Sequence, residues 1–368
     1  MNLTTNPGSS DLARSPELGC ELSIVIVSWN VRDMLRDCLR SIEQQNTGGW
    51  AEVVLVDNAS SDSTCEMVHQ EFPWVRLIDN PRNLGFAPGN NLALQSVRGE
   101  FVLLLNPDTV VYPGTLRKMV EFARANPSFG IVGPKQFDRN GKILFEAGVD
   151  FPSIWNVLCD LMMLSVVFPR SRLFAGRKMG YWDHLDDREV PAISGAAMLL
   201  RKSVLDRVGL LDETMFCVED IDLCSRVRRD GLKVYYMGSA PIVHYVGGSR
   251  ASSNAGLQRQ IAFQSLWLYL HKSRGSLSPM VLSVVVFFWA LLAWPATFFA
   301  ARMIPSGEGK ARLDFLSLLA KRLLQWSLMD KSKFRHHLAK PPSLNKPDSD
   351  HSGNIDFPSS RPAEHSRP

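Results

Sequence analysis

The chain has 368 residues, 45% of them hydrophobic and 21% charged, an ordinary composition for one large folded domain or two smaller ones. Its net charge of +4 is too small to indicate a nucleic-acid partner. The six cysteines are scattered, without a CxxC pair or a zinc-type spacing, which predicts reduced thiols in a cytosolic compartment. Residues 1–20 are polar and unlike a signal peptide, and we expect them to be disordered.

From residue 22 the pattern alternates between buried strands and amphipathic helices. The predicted strands are 22–28, 53–56, 75–78 and 101–105. The predicted helices are 31–42, a second from Asp62 or Ser63 to 72, 87–97, and one that Pro113 opens at its first position. Repeated strand–helix–strand units of this kind predict an α/β fold with a mostly parallel central sheet.

After residue 130 the regular alternation ends. Asp138-Arg-Asn-Gly141 predicts a hairpin turn, and residues 151–190 form an irregular insertion. Its apolar stretch 154–168 is too short to span a membrane, so an interfacial position, an acceptor groove and ordinary core packing all stay open. The later predicted elements are a strand at 193–200, a short helix from Ser203, a helix at 220–230 stopped by Gly231, and a strand at 234–237.

An apolar segment near the C-terminus predicts membrane association. Residues 280–301 run without a charge over the length of a spanning helix, and Pro295 is tolerated in such a helix. A re-entrant or interfacial hairpin and a buried core helix remain alternatives. Residues 313–328 alternate apolar and basic groups, as a basic interfacial helix does.

Four polar clusters stand where strands end or a helix begins: Asp57–Asp62, Asn83–Asn91, Asn106-Pro107-Asp108 and Glu219-Asp220-Ile-Asp222. In open α/β sheets, ligands bind beyond the carboxyl ends of the strands. The clusters therefore indicate a metal-assisted site for a nucleotide diphosphate. Asp108 is the predicted ligand of Mg²⁺ or Mn²⁺, since such a cation takes few protein carboxylates and completes its shell with phosphates and water. An Asn-Pro-Asp turn is the structural alternative.

The first two clusters predict binding of the nucleotide part of a donor. Asp57 can accept from a pyrimidine imide N–H or a ribose hydroxyl, although Asn, Ser and Asp also favour plain turns and caps. The second loop places glycines and amides at a strand-to-helix turn, where backbone N–H groups suit phosphate or ribose oxygens. The predicted nucleotide-sugar-binding residues are Ser28, Asn30, Asp57, Asn83, Gly85, Asn90 and Asn106.

The acidic cluster at 219–222 predicts a general base. Asp220, with Glu219 as the second choice, would take the proton from an acceptor hydroxyl. Carboxylates at a helix start are also expected as simple caps, because the helix dipole favours them there. His244 lies in a Gly-rich loop after a strand and is a predicted second ligand of the metal.

These motifs, in this order, resemble those of family 2 glycosyltransferases of the GT-A fold, especially rhamnosyltransferase-like members. The resemblance covers roughly residues 22–250 and rests on SIVIVSWN (23–30), VDNASSDS (56–63), NPRNLGFAPGNN (80–91), LLLNPD (103–108), SGAAMLLRK (194–202) and ED-x-D-L-x-x-R (219–226). It implies that Asp57 contacts the nucleobase, Asp108 binds the metal and Asp220 is the base. It also implies that His244 completes the metal site. Asn106-Pro107 replaces two acidic residues of the fuller motif, leaving Asp108 as its only carboxylate.

The resemblance further implies the reaction and its partners. We expect one sugar, by subgroup likeness rhamnose, to be transferred per encounter from a dTDP-, UDP- or GDP-linked donor, with inversion at the anomeric carbon. No Gln-x-x-Arg-Trp motif is present, which argues against a processive synthase. The expected acceptor is a hydroxyl of a lipid-linked or growing surface glycan at the cytoplasmic face of the bacterial inner membrane.

Two alternative functions would each require different sequence features. A sugar nucleotidyltransferase would need a Gly-rich loop with a basic residue directly after the first strand, where Ser28-Trp29-Asn30 stands instead. A catalytically inactive membrane scaffold or glycan-binding protein would not need all four polar clusters. We expect a GT-A catalytic domain over 21–270, membrane-associated helices over 271–340 and a disordered tail over 341–368.

Overall fold

The computed structural model describes residues 19–245, 255–275, 280–285 and 288. The predicted disordered tail, the amphipathic helix 313–328, nearly all of the predicted disordered N-terminus and most of the segment 280–301 lie outside these ranges. Within them, no helix combines the length and the apolar character needed to cross a membrane. The six cysteines are all described, and all are free thiols, as predicted.

The helices and strands alternate through the first half of the described chain and become irregular in the second. The strands are β1 (Leu22–Ser28), β2 (Ala51–Asn58), β3 (Arg76–Asn80), β4 (Phe101–Leu105), β5 (Thr109–Val111), β6 (Phe129–Phe137), β7 (Gly148–Val149), β8 (Arg188–Glu189), β9 (Ala192–Ile193), β10 (Ala197–Arg201) and β11 (Lys233–His244). The helices are α1 (Arg32–Glu43), α2 (Thr64–Glu71), α3 (Phe86–Leu94), α4 (Thr115–Ala125), α5 (Ile154–Leu161), α6 (Leu164–Val167), α7 (Lys202–Val208), α8 (Glu219–Arg229) and α9 (Ala255–Arg274).

The large sheet has the strand order β3-β2-β1-β4-β10-β6-β11-β5, with β8 beside β11, and a separate small sheet pairs β7 with β9. The pairs β3–β2, β2–β1, β1–β4 and β6–β11 are parallel. Strand β10 runs antiparallel to both β4 and β6. The sheet is thus mostly parallel, as predicted, and the strands β1, β2, β3, β4, β6 and β11 all end at one edge.

The core covers both faces of this sheet. On β1, Ile24 and Ile26 pack on the face that holds α1, α2 and α4, whereas Val25 packs on the face that holds α3, α7, α8 and α9. This alternation is the two-residue period of a strand covered on both sides. Gly89 explains how closely α3 approaches, because a Cβ atom there would lie 2.8 Å from Val27 Cγ1.

The structure corrects three details of the predicted elements. Pro113 is not the first residue of α4, because left-handed Gly114 stands between them as the N-cap. Neither Asp62 nor Ser63 caps α2 with its side chain: Ser63 is left-handed, and Asp62 instead accepts from the Arg32 backbone N–H at 2.9 Å. The strand predicted at 193–200 is split into β9 and β10 by residues 194–196, whose backbone turns toward the site described below.

The strand predicted at 234–237 is longer, because β11 continues to His244. Its pairing with β6 shifts register between Met237 and Pro241, and a proline is tolerated in a strand at such an irregularity. His244 is therefore the last residue of a strand and not part of a loop. The hairpin turn at 138–141 is present, with Gly141 left-handed and the Asp138 N–H donating to the Lys142 carbonyl.

Candidate active site

The four polar clusters meet at the edge where the parallel strands end. Asp57 lies near the end of β2, Asn106 and Asp108 follow β4, and His244 is the last residue of β11. The loop 83–85 enters α3 at the same edge, after β3. Asp220 stands at the start of α8. The fold therefore gathers the predicted residues on one side of the sheet, although they are spread over more than two hundred positions of the chain.

Asp57 is a buried carboxylate held by its own turn. Its two oxygens accept from the Ser60 backbone N–H at 2.8 Å and from the Ser60 hydroxyl at 2.6 Å. Burial raises its pKa, against the lowering effect of the Ser60 bonds. Asp79 on β3 lies beside it in the strand register, and ligand atoms of Asp57, Cys65 and Asp79 all lie within 4.8 Å of one another. Asp79 was not a predicted site residue.

Asn30 connects the loops that follow β1 and β2. It adopts a left-handed backbone, with φ of 52°, a conformation that asparagine tolerates better than most residues. Its side-chain oxygen accepts from the Ser61 N–H at 2.7 Å, and its own N–H donates to the Ser60 hydroxyl at 3.0 Å. Ser28 is fully buried beneath this junction, and within the described part of the chain its hydroxyl has no hydrogen-bond partner.

The loop before α3 is shaped by amide side chains. Asn83 accepts from the Gly85 N–H at 2.8 Å, and Gly85 has φ of 87° and ψ of −175°, a conformation essentially reserved for glycine. Asn58, at the end of β2, donates to the Gly85 carbonyl at 3.1 Å. Asn90 is buried inside the first turns of α3 and donates to the Phe86 carbonyl at 2.9 Å. Asn83 and Gly85 thus fix the conformation of the loop, whereas Asn90 forms a hydrogen bond within its own helix.

Asp108 and His244 form the candidate metal pair. Nε2 of His244 lies 3.4 Å from Oδ1 of Asp108, and both side chains are largely buried. Nδ1 of the same ring lies 3.2 Å from Oε1 of Gln136. An amide oxygen only accepts, so a proton on Nδ1 would complete this hydrogen bond and leave Nε2 to face the carboxylate. An imidazole nitrogen and a carboxylate oxygen side by side, with an amide holding the ring, suit a divalent cation.

Asp220 is oriented by two backbone donors. Gly195 donates its N–H to Oδ2 at 2.7 Å, and Ile221 donates to Oδ1 at 2.8 Å. Gly195 approaches closely, since a Cβ atom there would lie 3.3 Å from the Asp220 Cβ. One residue further on, the Ala196 carbonyl accepts from the Asn106 N–H at 2.9 Å. A short hydrogen-bonded path therefore joins the candidate base to the end of β4, two residues before Asp108.

Glu219 and Asp222, the other acids at this helix start, are also buried. Asp222 forms a salt bridge with Arg226 at 2.8 Å. Arg226 also donates to the carbonyls of Val208, Gly209 and Leu210, which ties α8 to the loop after α7. Asp222 and Arg226 therefore stabilise the base-bearing helix, and this distinguishes Asp222 from Asp220.

Two residues outside the list of predicted site residues support the candidate site. Gln136 is buried near the end of β6 and faces His244. Asn91 donates to the Leu211 carbonyl and to Glu213 Oε1, each at 2.9 Å, and accepts from the Leu211 N–H at 3.1 Å. It thereby fixes the loop that leads into Glu219 and Asp220. The paired amides Asn90-Asn91 were the available signal, but their partners lie far along the chain.

The fold is that of a GT-A glycosyltransferase, with a mostly parallel central sheet. The family model described as "Glycosyltransferase like family 2" matches residues 19–262, which is well over half of the chain. The protein therefore belongs to glycosyltransferase family 2 and is an enzyme of the hexosyltransferase type.

Two curated relatives are similar over more than half of the chain. The chain is 28% identical to an N-acetylglucosaminyl-diphospho-decaprenol L-rhamnosyltransferase of Mycobacterium tuberculosis over 238 residues, which cover 61% of this chain and 76% of that protein. It is 30% identical to the uncharacterized protein y4gI of Sinorhizobium fredii over 246 residues, which cover 65% of this chain. The aligned part spans only 26% of the length of y4gI.

Among solved structures, a mannosyltransferase from Pyrobaculum calidifontis in complex with GDP-Man and Mn²⁺ is similar over 90% of both chains, with 19% identity and a TM-score of 0.49. That likeness is too slight to carry an argument about this chain. The nucleotide sugar and the cation are properties of that protein.

Proposed function

We propose that this protein is an inverting, non-processive glycosyltransferase that moves one hexose from a nucleotide-diphosphate donor to a hydroxyl of a lipid-linked or growing surface glycan. Rhamnose is the proposed sugar, supported by the name of the mycobacterial relative and by the motifs of that subgroup. One observation carries the proposal. The Asp220 carboxylate, oriented by Gly195, is linked through Ala196 and Asn106 to the strand end that bears Asp108.

In this proposal Asp220 is the general base. A carboxylate offers about four acceptor positions, and two of those on Asp220 hold backbone donors that fix its plane. The base takes the proton of the acceptor hydroxyl while the hydroxyl oxygen attacks the anomeric carbon. The bond from that carbon to the diphosphate oxygen breaks on the opposite face, so the configuration inverts. Glu219, one residue earlier, is the second choice for this role.

The nucleotide part of the donor is assigned to the other clusters. Asp57 would accept from the imide N–H of a pyrimidine base, and the loop set by Asn83 and Gly85 would face the ribose and diphosphate. Asn30 would hold the loops on either side of the base. The remaining donor-binding assignments are the structural supports Ser28, Asn90 and Asn106.

Asp108 and His244 would hold a divalent cation, Mg²⁺ or Mn²⁺. When bound there, the ion would offset the charge that develops on the departing diphosphate. Gln136 contributes by keeping the proton of His244 on Nδ1, so that Nε2 stays available as a ligand.

We place the enzyme at the cytoplasmic face of the bacterial inner membrane. The support is the apolar sequence 280–301 with the basic, amphipathic sequence 313–328 after it. A lipid-linked acceptor would be presented at the same surface, as the name of the mycobacterial relative suggests.

Calorimetric titration tests the donor side of the proposal. UDP, dTDP and GDP are each titrated into the protein with and without Mn²⁺. We expect one of them to bind, and to bind more tightly with the cation. Asp108→Asn should lose the Mn²⁺-dependent part of the affinity, whereas Asp206→Asn, at an exposed carboxylate on α7, should not. If none of the three nucleotides binds, the proposal is wrong and a scaffold role is favoured.

A further inference from the structure

The insertion between β7 and β9 exposes a group of large apolar side chains. Val166 and Val167 on α6 are 65% and 63% exposed, and Leu173 is 58% exposed. The exposed apolar side chains of this segment include Trp155, Met162, Val166, Val167, Phe168 and Leu173. Isolated exposed apolar residues are ordinary on protein surfaces, but a contiguous group marks an interaction site.

These side chains form one surface. Trp155 and Phe168 both lie against Phe174, with ring centroids 6.4 and 5.3 Å away. The Trp155 indole N–H donates to the Leu173 carbonyl at 2.8 Å, so the polar atom of the ring is satisfied within the protein while the ring is exposed. Met162 and the two valines continue this surface along α5 and α6. We call it the α5–α6 surface.

The segment that bears the α5–α6 surface carries more basic than acidic side chains, although Lys178 pairs with Glu146 at 2.6 Å. Residues 154–178 contain the basic side chains Arg170, Arg172, Arg177 and Lys178 and a single acid, Asp160. Asp160 is within 3.5 Å of Arg177. Arg170 and Arg172 are exposed beside the apolar side chains. An apolar face edged by arginines complements an anionic lipid bilayer, where apolar groups enter the acyl boundary and basic groups meet the headgroups.

The same charges disfavour a second copy of the chain as the partner. A symmetric dimer places the same patch of both subunits face to face, so the arginines would meet arginines. Like charges brought together at an interface cost several kcal/mol. A bilayer of anionic lipid complements the apolar side chains with its acyl boundary and the basic side chains with its headgroups.

We propose that the α5–α6 surface docks on an anionic bilayer, as a contact separate from the C-terminal apolar sequence. The insertion is anchored by the β7–β9 pair, and Ser194, the residue after β9, donates its N–H to the Ala147 carbonyl. The next residue, Gly195, donates to Asp220. The insertion therefore leads, at its C-terminal end, into the residue that orients the candidate base. Docking here deepens the proposed function, in which the acceptor is lipid-linked.

Hydrogen–deuterium exchange on the full chain tests the docking locally. The protein is measured alone, with vesicles of phosphatidylcholine, and with vesicles of phosphatidylcholine and phosphatidylglycerol in equal parts. We expect slower backbone exchange over 154–173 with the anionic vesicles only. A Val166→Asp/Val167→Asp variant should lose this protection, and Arg170→Glu should weaken vesicle binding of this segment about fivefold or more, from about 1 kcal/mol per basic group at the surface.

Leu210→Asp is the matched control, because Leu210 is an exposed apolar residue outside the insertion. It should keep the protection, and exchange in β1 and β4 should match in all variants if they are folded. Equal exchange over 154–173 with and without anionic vesicles would overturn the proposal. So would protection that grows with protein concentration in the absence of lipid, which would indicate self-association. Because no nucleotide or sugar is used, the outcome is independent of the proposed reaction.

Discussion

Gln136 is a buried amide in contact with His244, a candidate metal ligand. Its oxygen lies 3.2 Å from Nδ1 of His244, and the other ring nitrogen, Nε2, lies 3.4 Å from Oδ1 of Asp108. Gln136→Met keeps the volume of the side chain and removes the acceptor. We expect Mn²⁺ affinity to fall about 10- to 100-fold, the usual effect of losing such a partner. Mn²⁺ titration monitored by electron paramagnetic resonance measures it.

The control for that variant is Gln95→Met, at an exposed position after α3. It should bind Mn²⁺ as the wild type does. Unchanged affinity in Gln136→Met would mean that the orientation of His244 does not depend on this contact.

His184 is a buried residue whose protonation couples the stability of the protein to pH. It is fully buried, stacks on Trp182 with ring centroids 3.9 Å apart, and accepts through its backbone carbonyl from the Tyr236 hydroxyl. Burial lowers its pKa to about 4 from an ordinary value near 6.5. As the pH falls between these two values, His184 therefore binds a proton in the unfolded chain but not in the folded chain.

The contribution of His184 to the unfolding free energy is therefore complete above about pH 6.5, and it is lost as the pH falls toward 4. The loss is about 3 kcal/mol at most. We expect His184→Asn, which tolerates the left-handed backbone of this position, to reduce the dependence of the unfolding free energy on pH over this range. Urea unfolding at several pH values measures it. His69→Asn, at an exposed histidine of α2, should keep the wild-type dependence. An equal dependence in both variants would contradict the account.

At the scale of elements, Asn91 ties α3 to the loop before α8. Its three hydrogen bonds satisfy both backbone groups of Leu211 and reach Glu213. Asn91→Ala leaves those buried groups unpaired, and we expect the unfolding free energy to fall by about 1–3 kcal/mol. Because the loop leads into Asp220, the rate of transfer should fall while the affinity for the nucleotide stays the same. Urea unfolding, nucleotide titration and steady-state kinetics on the same variant separate these effects.

Asn126→Ala is a useful comparison, since the Asn126 side chain makes one local bond, to the Phe122 carbonyl in the turn before it. It should change stability less and leave the transfer rate unchanged. If Asn91→Ala weakened nucleotide binding and left the rate of transfer intact, the loop would belong to the donor side of the site.

Much of the fold was predictable because its first half is made of short-range patterns. Strands β1 and β4 match their predicted bounds, since each is a largely apolar run followed by polar residues. Strand β11 was predicted too short. Its residues 238–241 include Gly238 and Pro241, which locally resemble a turn, and only the neighbouring strand β6 carries the pairing past the irregularity.

The convergence of the strand ends was predictable, whereas the roles of the residues gathered there stay predictions. Asp57, Asp108 and Asp220 could be named because each follows a strand or opens a helix in a polar motif. Their supports could not, because Gln136 and His244 are 108 residues apart and Asn91 and Leu211 are 120 apart. Contacts at such separations depend on the strand order, which the sequence pattern alone leaves open.

On the scale of the whole molecule, the family match ends at residue 262, so the C-terminal third lies almost entirely beyond it. The α5–α6 surface, by contrast, lies inside the matched region, in the insertion between β7 and β9. We therefore place the proposed chemistry at the edge where the parallel strands end. The proposed membrane contacts lie in two separate segments. The C-terminal assignment stays a prediction from sequence.

The most direct test is sugar transfer by the full chain, with a bacterial lipid extract as acceptor and a panel of dTDP-, UDP- and GDP-sugars. Nucleotide diphosphate release and sugar in the lipid fraction are both measured. We expect one donor to support both, and Asp220→Asn to lower the rate at least about 100-fold with unchanged nucleotide affinity. Asp206→Asn should match the wild type. Full transfer by Asp220→Asn, or the absence of transfer from every donor, would contradict the account.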